Sequence, residues 1–91
     1  MNRRFKGAPT FWKAFYRLPE PQQLAAQRAF ALFKANPFDP RLRPHKIHRL
    51  SAKYGVTIYA IEIERNLRAT FYLDGNTVWS VDIGAHPIYE R

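Results

Sequence analysis

The chain has 91 residues, 46% of them apolar and 15% aromatic, which is enough for one domain with a modest core and too few for two. Its 15 lysines and arginines outnumber its 7 acidic residues, so a net charge of +8 favours a polyanionic partner without selecting among RNA, DNA, acidic protein and membrane surface. The absence of cysteine excludes disulfides and thiolate chemistry, and neither a leader peptide nor a membrane-spanning run is recognisable, so we expect a cytoplasmic protein.

Two helices are predicted in the first half of the chain. A short edge strand is expected over residues 3–6, and Thr10 is a plausible N-cap for a first helix that runs to Arg17. A second helix is predicted over Glu20–Ala35, because two prolines lie at its start, good helix formers fill its body, and the Asn-Pro pair at positions 36–37 stops it. Both tryptophans, Trp12 and Trp79, are expected in the core.

Strands are predicted in the second half. Ile47 and Leu50 suggest a first short strand, and alternating patterns follow over residues 56–64, 68–73 and 77–83. Tight turns are expected at residues 65–67 and 74–76, where several residues tolerate a positive φ angle. The pattern predicts an α+β protein, with two N-terminal helices on an antiparallel sheet of about four strands.

The predicted turns determine which side chains Arg68 meets. With loops at residues 65–67 and 74–76, Arg68 lies between Glu64 on one neighbouring strand and Asp82 on the other. His86 and Tyr89 follow just beyond the last strand, at the same end of the sheet. A slip of one residue in the register would move Arg68 to the other face.

Arg68, His86 and Tyr89 are candidate catalytic residues for breaking an RNA strand without a metal ion. That reaction needs deprotonation of a 2′-hydroxyl, charge stabilisation on the phosphate, and a proton for the departing 5′-oxygen. The Arg68 guanidinium can grip two phosphate oxygens, and His86 can exchange protons near neutral pH. Tyr89 could accept the 2′-hydroxyl proton if cations lower its pKa, or could stack on a base.

Each candidate also has a purely structural interpretation. Arg68 could belong to a surface ion cluster, His86 could be a capping or packing histidine, and Tyr89 could be a docked aromatic. His45 and His48 have the spacing of a metal pair, but on a strand they would point to opposite faces and no further ligand completes them, so no metal site is predicted.

A basic stretch lies between the helical and the strand-rich halves. Its candidate phosphate-binding residues are Lys46, Arg49 and Lys53, to which Arg65 in a later turn is added. The stretch could equally be a solvated rim.

Several segments together resemble the RelE-like toxins of type II toxin–antitoxin systems, in the RelE/ParE superfamily. They are residues 11–19, the helix ending at residues 36–38, residues 45–47 and 66–69, and the closing residues 83–89. The resemblance covers nearly the whole chain, and its most specific parts are Arg68 and the Gly84-x-His86-x-x-Tyr89 ending. It implies a single RelE-like toxin domain over residues 1–91.

The resemblance also implies an activity. It implies an endoribonuclease, or mRNA interferase, that cuts mRNA at the ribosome and inhibits translation, with no small-molecule cofactor and with an acidic antitoxin as its protein partner. Arg68 matches the phosphate-binding arginine, and His86 and Tyr89 match a C-terminal His and Tyr found in many members. Some relatives use a glutamate base on an earlier strand, and residues 46–50 contain no glutamate. The alternatives are a ParE-like protein that inhibits DNA gyrase by binding and an inactive RNA-binding relative.

Overall fold

The structure, a computed structural model, describes residues 3–90, apart from the side chains of His86 and Glu90. Five strands and three α-helices make up most of it. In chain order they are β1 (Arg4–Gly7), α1 (Pro9–Arg17), α2 (Glu20–Ala35), β2 (His45–Lys46), α3 (His48–Tyr54), β3 (Tyr59–Glu64), β4 (Leu67–Asp74) and β5 (Thr77–Gly84). Two short 3₁₀-helices, Pro40–Leu42 and His86–Glu90, complete the order. The fold class is α+β, as predicted.

The two N-terminal helices begin at prolines or beside them. Pro9 is the first residue of α1, where a missing backbone N–H costs little. The prediction that Thr10 is the N-cap of this helix is wrong, because Ala8 holds that position. The Thr10 hydroxyl donates instead to the carbonyl of Val81 on β5, at 2.7 Å. Helix α2 has the predicted bounds, with Asn36 at its C-terminal cap.

The sheet has the order β1-β5-β4-β3-β2. Strand β1 confirms the predicted first strand, but it pairs parallel to β5, so the sheet is mixed and has five strands, where an antiparallel sheet of about four was predicted. The other three pairings are antiparallel. The last strand in sequence therefore lies inside the sheet, between β1 and β4.

The predicted strand through Ile47 and Leu50 is wrong. Strand β2 contains residues 45–46 alone, and α3 begins at His48. Leu50 is buried from this helix, which ends where Gly55 adopts a φ of 72°. A left-handed glycine is a common helix terminator, and it stops α3 after two turns.

The turns are shorter than predicted. Glu64 pairs with Leu67 and Asp74 with Thr77, so each loop has two residues where three were expected. Gly75, with a φ of 58°, supplies the conformation that such a tight hairpin requires.

Two β-bulges then correct the predicted partners of Arg68. Register shifts lie between Glu62 and Glu64 and between Thr70 and Phe71. Arg68 is consequently opposite Glu62 on β3, where Glu64 was predicted. On β5 its partner is Gly84, because Asp82 lies opposite Thr70.

Helices and sheet enclose a core rich in aromatic rings. Phe71, which is 1% exposed, has ring contacts with Phe33 at 4.9 Å and with Tyr59 at 5.4 Å. The residues of this core are Phe11, Phe15, Ala26, Ala29, Phe33, Leu42, Ile61, Leu67, Ala69, Phe71, Val78 and Ile83. Trp12 is not among them: it is 45% exposed, so the prediction that it is buried is wrong.

The opposite face of the sheet carries α3 and the C-terminal 3₁₀-helix, which contact each other. Leu50 of α3 and Ile88 of the 3₁₀-helix are buried here together with Ile58 and Ala60. Since neighbouring strand residues point to opposite faces, Ala60, Glu62, Arg68 and Thr70 share this side of the sheet.

Candidate functional site

The backbone of the β3–β4 turn holds the guanidinium of Arg68. Its Nη1 donates to the carbonyl oxygens of Glu64 at 2.8 Å and Arg65 at 3.2 Å, with a longer contact of 3.5 Å to that of Leu67. Its Nη2 lies 3.6 Å from a carboxylate oxygen of Glu62. One end of the fork is therefore anchored to the turn, and the other is directed toward a single carboxylate. The side chain is 15% exposed.

Tyr89, in the C-terminal 3₁₀-helix, lies beside Arg68. Its hydroxyl oxygen is buried. Burial raises the pKa of the Tyr89 phenol above its ordinary value, the positive charge of Arg68 lowers it, the negative charge of Glu62 raises it, and a hydrogen bond with Arg68 lowers it. Burial outweighs the cation. Tyr89 is therefore a phenol that holds its proton, and at neutral pH it is suited to donate a proton rather than to accept one.

His45, on the edge strand β2, completes the cluster. Its ring meets that of Tyr89 edge to face, with centroids 6.2 Å apart and planes at 87°. Its Nδ1 lies 2.9 Å from the carbonyl oxygen of Arg43. Because a carbonyl can only accept, this contact assigns the hydrogen to Nδ1 and leaves Nε2 with a lone pair in the neutral imidazole.

The carbonyl group of Arg43 faces His45 because the backbone of Arg43 is left-handed. Its φ is 50°, the one positive φ among the non-glycine residues described. A left-handed residue without glycine's freedom is uncommon and costs energy, and such residues concentrate at functional sites. Here it terminates the first 3₁₀-helix and places a carbonyl against the His45 ring.

The structure thus brings Arg68 and Tyr89 together, as predicted from the sequence. His86 begins the same 3₁₀-helix as Tyr89, but its side chain lies outside the described part of the chain, so its place in the cluster stays a prediction. Asp82 is not the strand partner of Arg68; it faces a neighbouring pocket.

The four predicted phosphate-binding residues are all exposed, on three elements. Lys46 is on the edge strand β2, Arg49 and Lys53 are four residues apart on α3, and Arg65 is in the β3–β4 turn. Residues four apart lie on one face of a helix, so Arg49 and Lys53 form one cationic edge. Contact of any of the four with RNA stays a prediction.

Two members of the cluster, Glu62 and His45, were not predicted. The sequence does not predict Glu62 because the shorter turn and the bulge after Glu62 each shift the register by one residue, which a period-two pattern does not reveal. The sequence analysis gives His45 no catalytic role, because it enters there as half of an incomplete metal pair with His48 and within residues 45–47 of the resemblance. The signal that it carries is its position on a short strand beside β3, where it lies opposite Ala60 and on the same face as Glu62.

Solved structures with this architecture come from bacteria and from an archaeon. The RelE of the archaeal RelE–RelB complex from Pyrococcus horikoshii OT3 superposes with a TM-score of 0.71 at 14% sequence identity, over 93% of this chain and 96% of the other. The chain has a RelE-like fold. YoeB from Staphylococcus aureus, solved as a dimer, gives a TM-score of 0.66 at 15% identity over 94% of this chain and 99% of YoeB.

A third RelE-like structure agrees. A chain of the DinJ–YafQ complex from E. coli gives a TM-score of 0.62 at 13% identity over 94% of this chain and 96% of the other. The predicted RelE-type fold is confirmed by these likenesses, which at such identities concern the fold. No protein-family model matches the sequence, and a search of curated proteins finds no significant match.

Among residues 3–90, no helix has the length and apolar character needed to span a membrane. Over the same range, and leaving aside the side chains of His86 and Glu90, no three histidine, cysteine or acidic side chains are grouped so that they could hold a metal ion.

Proposed function

We propose that the chain is the toxin of a toxin–antitoxin pair and cleaves mRNA at the ribosome by metal-independent transesterification. One observation carries the proposal: a guanidinium, a protonated phenol and an imidazole with an assigned lone pair lie together at one end of the sheet, from Arg68, Tyr89 and His45. The RelE-like fold, shared with RelE, YoeB and YafQ, supports it.

The three groups match the three requirements of the reaction. His45 Nε2 removes the proton of the 2′-hydroxyl, and the resulting 2′-oxygen attacks the adjacent phosphorus. Arg68 stabilises the charge on the five-coordinate phosphate. The bond from phosphorus to the 5′-oxygen breaks as Tyr89 protonates that oxygen, which gives a 2′,3′-cyclic phosphate and a 5′-hydroxyl. The proton on His45 then returns through water to the Tyr89 phenolate.

Glu62 has a positioning role in this scheme. It faces the Nη2 end of Arg68 from the opposite strand and is 30% exposed. A phosphate oxygen that binds Nη2 must displace the carboxylate, whose 3.6 Å contact is too long for a strong hydrogen bond. The carboxylate thus orients the guanidinium before RNA binds.

Access to Tyr89 requires movement. Its hydroxyl is shielded from solvent, so the scissile phosphate must enter between the phenol and Arg68. The C-terminal 3₁₀-helix, five residues long and packed on α3 and the sheet, is the element that must shift. RNA held in a ribosome supplies binding energy for such a shift.

The protein partner in this proposal is an acidic antitoxin. The net charge of +8 favours such a partner by electrostatic complementarity. Two structures with the same fold were solved as complexes, RelE with RelB and YafQ with DinJ.

The test is primer extension on mRNA after induction of the chain, together with cleavage by purified protein on ribosomes programmed with mRNA. Tyr89→Phe should slow cleavage by about 10²–10⁴-fold, the range typical of a lost general acid. Tyr72→Phe, on the same sheet at β4, is the matched control and should cleave normally.

The base is assigned by a second pair of variants. His45→Gln should slow cleavage by about 10²-fold or more, while His48→Gln, three residues away on α3, should not. If His86→Gln abolishes cleavage and His45→Gln does not, the imidazole predicted from the sequence is the base and His45 is not. Intact mRNA with blocked DNA supercoiling would refute the ribonuclease and favour the gyrase alternative.

A further inference from the structure

A pocket of about 310 Å³ lies next to the candidate site, between α1, α3 and the sheet. Its floor includes Thr70 of β4 and Asp82 of β5, which are strand partners. Thr70 is two residues from Arg68 on the same face, and Ile88 in the wall directly precedes Tyr89. The pocket and the candidate site therefore share the C-terminal 3₁₀-helix and the strand β4.

The pocket has apolar walls and a polar floor. Leu50, Ile58 and Ile88 supply apolar surface, and half-exposed Tyr54 adds an aromatic ring. A dry apolar cavity of about 150 Å³ already accommodates a benzene ring, so this pocket is large enough for a flat heterocycle.

The polar floor contains a threonine hydroxyl and a carboxylate. Thr70 is 2% exposed, and it lines the pocket. A hydroxyl can both donate a hydrogen bond to a ligand and accept one from it. Next to it, the Oδ1 of Asp82 accepts the backbone N–H of Ile83 at 2.9 Å, which fixes the orientation of the carboxylate.

The rim of the pocket is cationic. Lys13 and Arg17 line it, four residues apart and hence on one face of α1. Apolar walls with one aromatic ring, a hydroxyl and carboxylate floor, and cations at the mouth correspond to the base and phosphate of a nucleotide.

From this geometry we infer that the pocket binds the base of an RNA nucleotide that flanks the scissile phosphodiester. The inference rests on the ribonuclease function proposed above. The Asp82 carboxylate accepts hydrogen bonds, so the bound base carries an exocyclic amino group, as adenine, guanine and cytosine do and uracil does not. The pocket would therefore bias where the protein cuts.

The experiment is a titration of the full chain with AMP, GMP, CMP, UMP and inorganic phosphate, followed by methyl NMR at Thr70, Ile58 and Ile88. At least one amino-bearing nucleotide should shift these signals and bind about tenfold more tightly than UMP, the range of one discriminating base contact. Phosphate should bind more weakly than any of the four. Phosphate binding as tightly as the nucleotides, or nucleotides that leave all three methyl groups unmoved, would overturn the inference.

Variants identify the contacts. Asp82→Asn should reduce the preference over UMP to about threefold or less, because an amide can both donate and accept. Thr70→Val should weaken amino-bearing nucleotides about fivefold, and Asp82→Asn serves if that variant fails to fold.

A charge control isolates the rim. Lys13→Gln should weaken every nucleotide about twofold to threefold, whereas Lys34→Gln, which removes the same charge from the last turn of α2 outside the pocket, should not. Equal effects of the two variants would mean that general charge, and not the pocket, attracts the nucleotides.

The inference and the proposed function can fail separately, because the titration needs no turnover. If the wild type cuts mRNA and Thr70→Val and Asp82→Asn leave the distribution of cut sites unchanged, the ribonuclease stands and the base pocket is wrong. If nucleotides bind as expected but no mRNA is cut, the pocket stands and the ribonuclease is wrong. If a purified acidic partner protein shifts the three methyl groups and no nucleotide does, the pocket is a protein contact.

Discussion

Replacing Arg68 separates its anchoring role from its catalytic one. In Arg68→Ala the carbonyls of Glu64 and Arg65 lose their charged donor. A hydrogen bond to a charged group contributes about 1.5–3 kcal/mol net, but these carbonyls lie in a turn where water can replace the donor, so we expect the loss of these two bonds to cost about 1–2 kcal/mol. The buried Tyr89 hydroxyl also loses its hydrogen bond with Arg68, which costs about 1 kcal/mol more. The 3.6 Å contact with Glu62 adds less than about 1 kcal/mol.

Arg68→Ala should also slow cleavage. Losing a group that stabilises transition-state charge typically costs about 10²–10³ in rate, which is about 3–4 kcal/mol. Arg68→Lys keeps the charge but not the fork, so it cannot bind the turn carbonyls and a phosphate at once. We expect the free energy of unfolding of this variant to lie within about 1 kcal/mol of the wild-type value, and its cleavage rate to be at least tenfold lower.

Urea unfolding measures the free energy of unfolding of each variant. Single-turnover cleavage on ribosomes programmed with mRNA measures its cleavage rate. Arg65→Ala is the stability control, because its exposed side chain makes none of these bonds, and its unfolding free energy should change by less than about 0.5 kcal/mol. An Arg68→Ala protein as stable as the wild type would refute the anchoring. Wild-type cleavage by Arg68→Lys would refute the need for a two-pronged donor.

Three further predictions concern stability. Because the folded state raises the pKa of Tyr89, the contribution of its protonated phenol to stability is complete below the ordinary tyrosine range near pH 10 and is lost as the pH rises through the folded pKa. Urea unfolding from pH 8 to 11 should therefore show a fall in the free energy of unfolding that is smaller in Tyr89→Phe than in the wild type. The same fall in both proteins would contradict the burial of the phenol. Phe71→Ala should lower the unfolding free energy by about 3–5 kcal/mol, because it opens a cavity in the aromatic core. Leu73→Ala, two residues along β4 at a side chain that is 37% exposed, should lower it by less than about 1 kcal/mol. Similar losses in the two variants would contradict the assigned register. A Cβ on Gly7 would lie 2.5 Å from Nε1 of Trp12, so Gly7→Ala should destabilise by about 1–3 kcal/mol and change the tryptophan fluorescence, and Trp12→Leu should relieve most of that loss.

The helices and the existence of the strands could be predicted from the sequence because their signals are local. Helix α2 begins at Glu20 beside prolines and ends before Asn36, so its bounds follow from elementary backbone restrictions. The sequence pattern does not distinguish α3 from a strand, because its seven residues contain too few apolar positions to fix a period. Gly55 was the available signal, since a glycine after Tyr54 commonly ends a helix.

The composition of the site was harder to predict because it depends on register. Each bulge adds one residue to one strand, and nothing in an alternating pattern marks the addition. Together with turns one residue shorter than predicted, the bulges make Glu62 and Gly84 the neighbours of Arg68, where Glu64 and Asp82 are predicted. The proximity of Tyr89 to Arg68 was predictable nevertheless, because the tail follows β5 at the end of the sheet where β4 begins.

The placement of β5 inside the sheet has a consequence for synthesis. Until residues 77–84 leave the ribosome, β1 has no strand to pair with, and one edge of β4 is without its hydrogen-bonded partner strand. Pairing between residues more than seventy positions apart is slow to form, since loop closure must precede it. A nascent chain therefore acquires its complete sheet, and the platform beneath Tyr89, only when translation of this domain is nearly finished.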